Sequence, residues 1–294
     1  MRKYCLSLLL LLLTLVSNAV EPPKREIRGV WLTTVYGLDW PHNPATTETG
    51  QKAQQRDVCD ILDRLQDANF NTVFLQVRMR GDVIWRSAIE PASKIFSGKY
   101  GMMPGYDPLA FVVDECHKRG MECHAWFVTF PLGTDKSVIE QGKLSVVRRQ
   151  PKLCKRHNGE WYLDPGVPGT SDYVLSLVKE LVNGYDIDGI HFDYIRYPEQ
   201  ENINKMVYRI YDWVKSVKPW IQVSSSPLGK YNRIERVPNA GWTAYESVFQ
   251  DPKMWMQNGK QDMIVPMMYY LHDNFFPFVD NWVDNCNGRL VAVS

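Results

Sequence analysis

Apolar, β-branched runs recur along this chain, and most follow a stretch whose apolar residues are spaced as on one face of a helix. The runs are Ile27 to Thr34, Thr72 to Arg78, Glu122 to Phe130, Ile187 to Pro198, Ile221 to Pro227, Asp262 to Tyr270 and Arg289 to Ser294. Helical spacing is clearest at Val58, Ile61, Leu62 and Leu65, at Leu109, Val112, Val113 and Cys116, and at Val174, Leu177, Val178 and Leu181. Strand-to-helix connections are long and helix-to-strand connections short. That asymmetry belongs to a (β/α)8 TIM barrel, whose site is built on the strand-to-helix side. A doubly wound sheet would open with a glycine-rich phosphate turn after its first strand, and WLTTVYGLDW (31–40) is no such turn. A closed barrel needs an eighth strand, so the expectation is an α/β barrel truncated after strand seven.

Ahead of the barrel, Arg2 and Lys3 precede the apolar run Leu6 to Val16, and Ser17-Asn18-Ala19 supplies small residues. This reads as a secretory signal peptide cleaved after Ala19, since the run is too short to span a bilayer. The mature protein, 20–294, is then expected in the periplasm, cell envelope or extracellular space, with no stable membrane insertion. With 294 residues and 45% apolar content it can form one large domain. The net charge of +1, without long runs of one sign, points to neither nucleic acid nor an acidic membrane as partner. Cys59, Cys116, Cys123, Cys154 and Cys286 form no CxxC pair and read as free thiols, with a single disulfide as the alternative.

The run IDGIHFDYIRYP (187–198) is a core strand by composition, yet it carries His191, Asp193 and Arg196 near its C-terminal end. Burying a carboxylate costs several kcal/mol unless it is paired, so a functional Asp193 is favoured over a structural pair with Arg196 or His191. Alternation puts His191 and Asp193 on one face.

RGVWLTT (28–34), LQVR with Gly81-Asp82 (75–82), HAWF (124–127), DGIHFDYIRYP (188–198) and DMIVPMMYY (262–270) occur in this order. Together they resemble the family-10 glycosyl-hydrolase-like proteins, also called the domain-of-unknown-function-187 group, over essentially 26–294. The resemblance implies a (β/α)8 barrel, export to the envelope, and hydrolysis of glycosidic bonds in a cell-wall or related amino-sugar polymer. Such hydrolysis usually takes two carboxylates. Asp193 is the principal candidate. Asp82, Glu199, Asp164 and Asp273 are candidates for the second, with Glu199 closest along the chain and Asp82 in the matching motif. The DGxDxDxE pattern of chitinase-type enzymes matches only in part, because His191 and Ile195 stand where Asp and the acid Glu are needed.

Gln76, Arg78, His124, Trp126, His191, Arg196 and one of Tyr269 and Tyr270 are expected to face a polysaccharide at the mouth, where Trp126 stacks a sugar. The alternative is that Gln76 and His124 are hydrogen-bonded core polars, and that Trp31 and Trp40 pack rather than wall a subsite. No cofactor is expected. A metal-dependent hydrolase built on His124, His191, Asp193 and His272 is disfavoured, because strand one lacks an HxH. A glycan-binding barrel without catalysis is the other rival.

Overall fold

The structure, a computed structural model, describes residues 26–196 and 202–294. Its strands, in chain order, are β1 Gly29–Leu32, β2 Thr72–Met79, β3 Asp82–Val83, β4 Glu122–Val128, β5 Pro131–Thr134, β6 Cys154–His157, β7 Glu160–Leu163, β8 Gly189–Asp193, β9 Gln222–Ser225, β10 Met263–Ile264 and β11 Leu290–Val291. The seven expected strands form one sheet in the order β1-β2-β4-β8-β9-β10-β11, every adjacent pair parallel. This is the strand order of a (β/α) barrel. β1 and β11 are not paired with each other, but Gly29, Trp31, Leu290 and Val291 line one cavity of about 510 Å³ between them.

Helices Glu48–Asp67, Pro108–Lys118, Thr170–Gly184 and Ile203–Val217 return the chain between parallel strands. Their starts are written locally: the Thr47 hydroxyl accepts from the Gly50 N–H, and Asp107 accepts from the Ala110 N–H ahead of Pro108. Their apolar stripes bury Val58 and Leu62, Val112 and Cys116, and Val174, Leu177 and Val178. With side chains inside the barrel and helices outside, β8 is buried at every position, which is why its sequence does not alternate. Inside, Trp31 stacks on Phe74 with ring centroids 4.2 Å apart, and Phe74 meets His124 and His191 edge-on. A Cβ on Gly189 would lie 2.3 Å from His124 Nδ1, so only glycine fits there.

Two stretches expected as long loops carry structure. β2 doubles back into β3 through Arg80-Gly81, both at positive φ (56° and 75°), the geometry of a two-residue type I′ hairpin. The 131–169 excursion holds a three-stranded antiparallel sheet, β5-β7-β6, in which Asn158-Gly159 turns β6 into β7 with φ of 48° and 83°. That Asn-Gly pair is a strong hairpin signal and was legible in the sequence. The five described cysteines are free thiols. The signal-peptide reading falls outside the described residues, and among those described no helix is long and apolar enough to cross a membrane.

Candidate active site

Asp193 ends β8 and is 8% exposed. Trp126, on the inward face of β4, donates its indole N–H to Asp193 Oδ2 at 3.1 Å, and the backbone N–H of Tyr194 donates to Oδ1 at 2.7 Å. The Asp193 carbonyl accepts from both the backbone N–H and the hydroxyl of Thr129, each at 2.9 Å, which pins the end of β8 to the start of the loop after β4. Tyr194 takes φ +48°, a left-handed conformation that costs a bulky residue of order 1–3 kcal/mol. Burial pushes the Asp193 carboxyl up from its ordinary value, while the Tyr194 N–H, Arg196 and Trp126 all favour the ionised form. Arg196 lays its guanidinium over the Tyr194 ring at 4.3 Å, and its Nη1 is buried with no hydrogen-bond partner among the described residues.

His191 is wholly buried two residues deeper. Its Nδ1 and Nε2 stand 2.8 and 2.5 Å from the hydroxyls of Ser224 and Ser226. Burial and the neighbouring His124 push its pKa down to about 3. It is therefore neutral at working pH and supplies no charge to Asp193. Its role is to tie β8 to β9.

Several residues expected at the mouth are elsewhere. Gln76 Oε1 is taken up by the Thr33 hydroxyl and the backbone N–H groups of Thr34 and Val35, at 2.8, 3.1 and 2.9 Å. It shapes the turn after β1 rather than a ligand. Arg78 does not face the barrel interior. The β2–β4 register shifts between Gln76 and Arg78, and this bulge turns Arg78 outward. There it forms a two-pronged ion pair with Glu90 (2.7 Å on each prong), both side chains fully buried, with Phe127 beneath. It cannot touch substrate. His124 sits on the barrel floor, 3.1 Å from Glu122 Oε2. Of the two tyrosines after β10, Tyr269 is 75% exposed while Tyr270 packs its ring against Lys230. Trp40 is buried against Phe96.

Among the carboxylate candidates, Asp164 accepts the Gly166 N–H and caps its own turn, and Asp273 lies in the first turn of helix His272–Asn285. Glu199 lies outside the described residues. Asp82 is different. It opens β3, is 8% exposed, and lines a cavity of about 410 Å³ with Thr34, Tyr36, Arg80 and Lys136. Burial raises its pKa to about 7; Glu90 adds to this, while Ser93, Arg78 and Arg80 oppose it. Exposed aromatics missed in the sequence stand on the connections after the strands: Tyr36 in a helical turn after β1, Tyr194 after β8, and after β9 Trp242 and, in the short helix Ala244–Val248, Tyr245. No three His, Cys, Asp or Glu side chains converge as a metal site among the described residues.

A polar, aromatic mouth above parallel strands can be compared with known proteins. The glycosyl hydrolase-like 10 model matches residues 26–201 and 195–277. The chain belongs to that family. It is 32% identical over 293 residues to glycosyl hydrolase DigH of Escherichia coli K12, covering 85% of this chain and 67% of DigH. It is 29% identical over 282 residues to glycosyl hydrolase YngK of Bacillus subtilis, covering 84% of this chain and 54% of YngK. Among solved structures, the maltogenic α-amylase AmyB of Thermotoga neapolitana superposes with a TM-score of 0.50 at 15% identity, over 88% of this chain and 51% of that one. The last likeness is one of fold. Within this glycosyl hydrolase-like chain, Asp193 and Asp82 are among the buried carboxyls on the side where such barrels keep their chemistry, and among the described residues neither is taken up by an ion pair as Glu90 is.

The raised pKa of Asp82 has a consequence for stability. In the folded chain the carboxyl holds its proton up to about pH 7, whereas the unfolded chain releases it near 3.9. Between these values the folded state binds more protons, so this contribution is full below about pH 4 and is lost as pH rises through 7. Asp82→Asn removes it. Melting temperatures from about pH 4.5 to 7.5 are expected to fall more steeply for wild type than for Asp82→Asn. Parallel profiles would mean that Asp82 is ionised throughout.

Proposed function

We propose that this protein is an exported glycoside hydrolase acting on a polysaccharide, an amino-sugar wall polymer such as the glycan strands of peptidoglycan. Asp193 is its principal catalytic carboxylate. The observation that carries the reading is a nearly buried carboxylate at the C-terminal end of a central barrel strand, oriented by an indole N–H and by a strained neighbour. Burial raises the carboxyl pKa at both positions, against the Tyr194 N–H, Arg196 and Trp126 at Asp193, and to about 7 at Asp82. In this reading Asp193 serves as base or nucleophile and Asp82, which holds its proton up to about pH 7, as the acid that protonates the leaving oxygen. Tyr36, Tyr194 and Trp242 supply exposed rings on which sugar units can stack. Export follows from the basic and apolar opening of the chain.

The test is incubation with purified peptidoglycan, with and without stem peptides, following new reducing ends. Release is expected, and it should decline as pH rises through about 7, where Asp82 loses its proton. Protein that sediments with the glycan but releases no sugar would instead identify a glycan-binding barrel.

A further inference from the structure

The carboxylate of Asp193 is aimed by the peptide unit that follows it. The N–H of that unit, from Tyr194, donates to Asp193 Oδ1 at 2.7 Å, and its carbonyl, from Asp193, points the opposite way, as a trans peptide requires. There it meets two donors from one residue, the backbone N–H and the hydroxyl of Thr129, each at 2.9 Å. Two donors occupy both lone pairs of the oxygen and leave the peptide plane little freedom to rotate. Thr129 is itself wholly buried, directly after β4, where the ladder pairs Val128 with Asp193. The peptide ahead of it is anchored in turn, because Arg78 Nη1 donates to the carbonyls of Val128 and Thr129. An unbroken line of hydrogen bonds thus runs from a buried guanidinium through the Val128–Thr129 and Asp193–Tyr194 peptides to the carboxylate. Such a line strengthens along its length, since each bonded peptide polarises the next.

We propose that Thr129 is a positioning residue, whose hydroxyl holds the Asp193–Tyr194 peptide in the one orientation that points its N–H at the carboxylate. The proposal rests on the glycosidase reading, in which Asp193 must meet a sugar carbon or a proton at a fixed angle. Tyr194 makes the clamp necessary. Its φ of +48° is strained for a bulky residue, and rotating the preceding peptide would relieve that strain. The same rotation would carry the Tyr194 N–H away from Oδ1. Losing that N–H would also leave the carboxyl harder to ionise, because burial already pushes it up and the Tyr194 N–H is the foremost group opposing the rise. Valine would fill the space of this wholly buried threonine and lacks only the donor.

The experiment compares wild type, Thr129→Val and Thr129→Ser on soluble glycan strands prepared from peptidoglycan, following new reducing ends over a range of strand concentrations. Thr129→Val is expected to lower kcat about tenfold and to leave KM within about twofold, since the clamp touches no sugar and acts on orientation. Thr129→Ser keeps the donor and should recover most of kcat. Exchange of the Tyr194 amide proton, followed by NMR, should quicken about tenfold in Thr129→Val and stay near wild type in Thr129→Ser, a readout that needs no activity. Should Thr129→Val not fold, Thr129→Ala beside Thr129→Ser repeats the contrast. Wild-type cleavage with an unchanged kcat in Thr129→Val, a loss carried by KM, or an equal loss in both variants would overturn the positioning role and leave the glycosidase standing. Unchanged Tyr194 exchange in Thr129→Val would overturn the clamp, whatever the rates. No cleavage by wild type would overturn the glycosidase reading and the catalytic purpose of Thr129 with it.

Discussion

Asp193→Asn is expected to lower the release of reducing ends from wall glycan by about a thousandfold, within the range that positioned acid–base groups supply. The substitution keeps the volume of the side chain and one acceptor oxygen, so either the Trp126 indole or the Tyr194 N–H keeps its partner. It removes the negative charge, and with it any ability to take a proton or attack a sugar carbon. The buried carboxylate is already costly here, as its raised pKa shows, so folding should not suffer beyond the one hydrogen bond lost. Cleavage should therefore collapse while melting temperature and sedimentation with glycan stay close to wild type. A variant that keeps more than about a tenth of wild-type activity would mean that Asp193 is a structural clamp for Trp126.

The second large effect is on stability. Arg78→Met leaves Glu90 buried without its cation, and breaking a buried pair from one side costs about 3–5 kcal/mol. Arg78 also donates to the carbonyls of Val128 and Thr129, and Tyr173 donates its hydroxyl to Glu90 at 3.0 Å. Each of these would lose a partner or face an unpaired charge. In a domain of this size the melting temperature should fall by about 10 °C. The double variant Arg78→Met with Glu90→Leu removes both charges and should recover much of the loss. A single variant that melts within about 2 °C of wild type would show that the pair is hydrated and unimportant.

Arg78 also shows where reading by alternation fails. The seven barrel strands were legible because both faces of a parallel strand are buried, and continuous apolar runs such as TVFLQV (72–77) report that directly. Phe74 and Gln76 do point inward, and the rule then predicts the same of Arg78. The bulge after Gln76 breaks the period, and nothing in LQVR marks it. The burial of Asp193 at a strand end was legible because a carboxylate in a core strand is anomalous by itself. The burial of Asp82 was not, because it depends on a hairpin and on loops from two other strands. The neutrality of His191 comes from its depth in the barrel, and the seryl partners that hold it are contributed by β9. Pairings of that kind are made by the sheet and have no local sequence signature.

The left-handed backbone at Tyr194 bears on how this protein would respond to selection for heat resistance. Glycine is the residue that such a conformation suits, and tyrosine is held there against its preference. A screen that rewarded survival at high temperature alone should therefore find Tyr194→Gly early, since it releases local strain at the end of β8. The same change would remove the ring beneath Arg196 and loosen the peptide that holds Asp193. Heat-adapted descendants would then gain durability and lose turnover at a single position, a trade recorded in the genotype before any assay detects it.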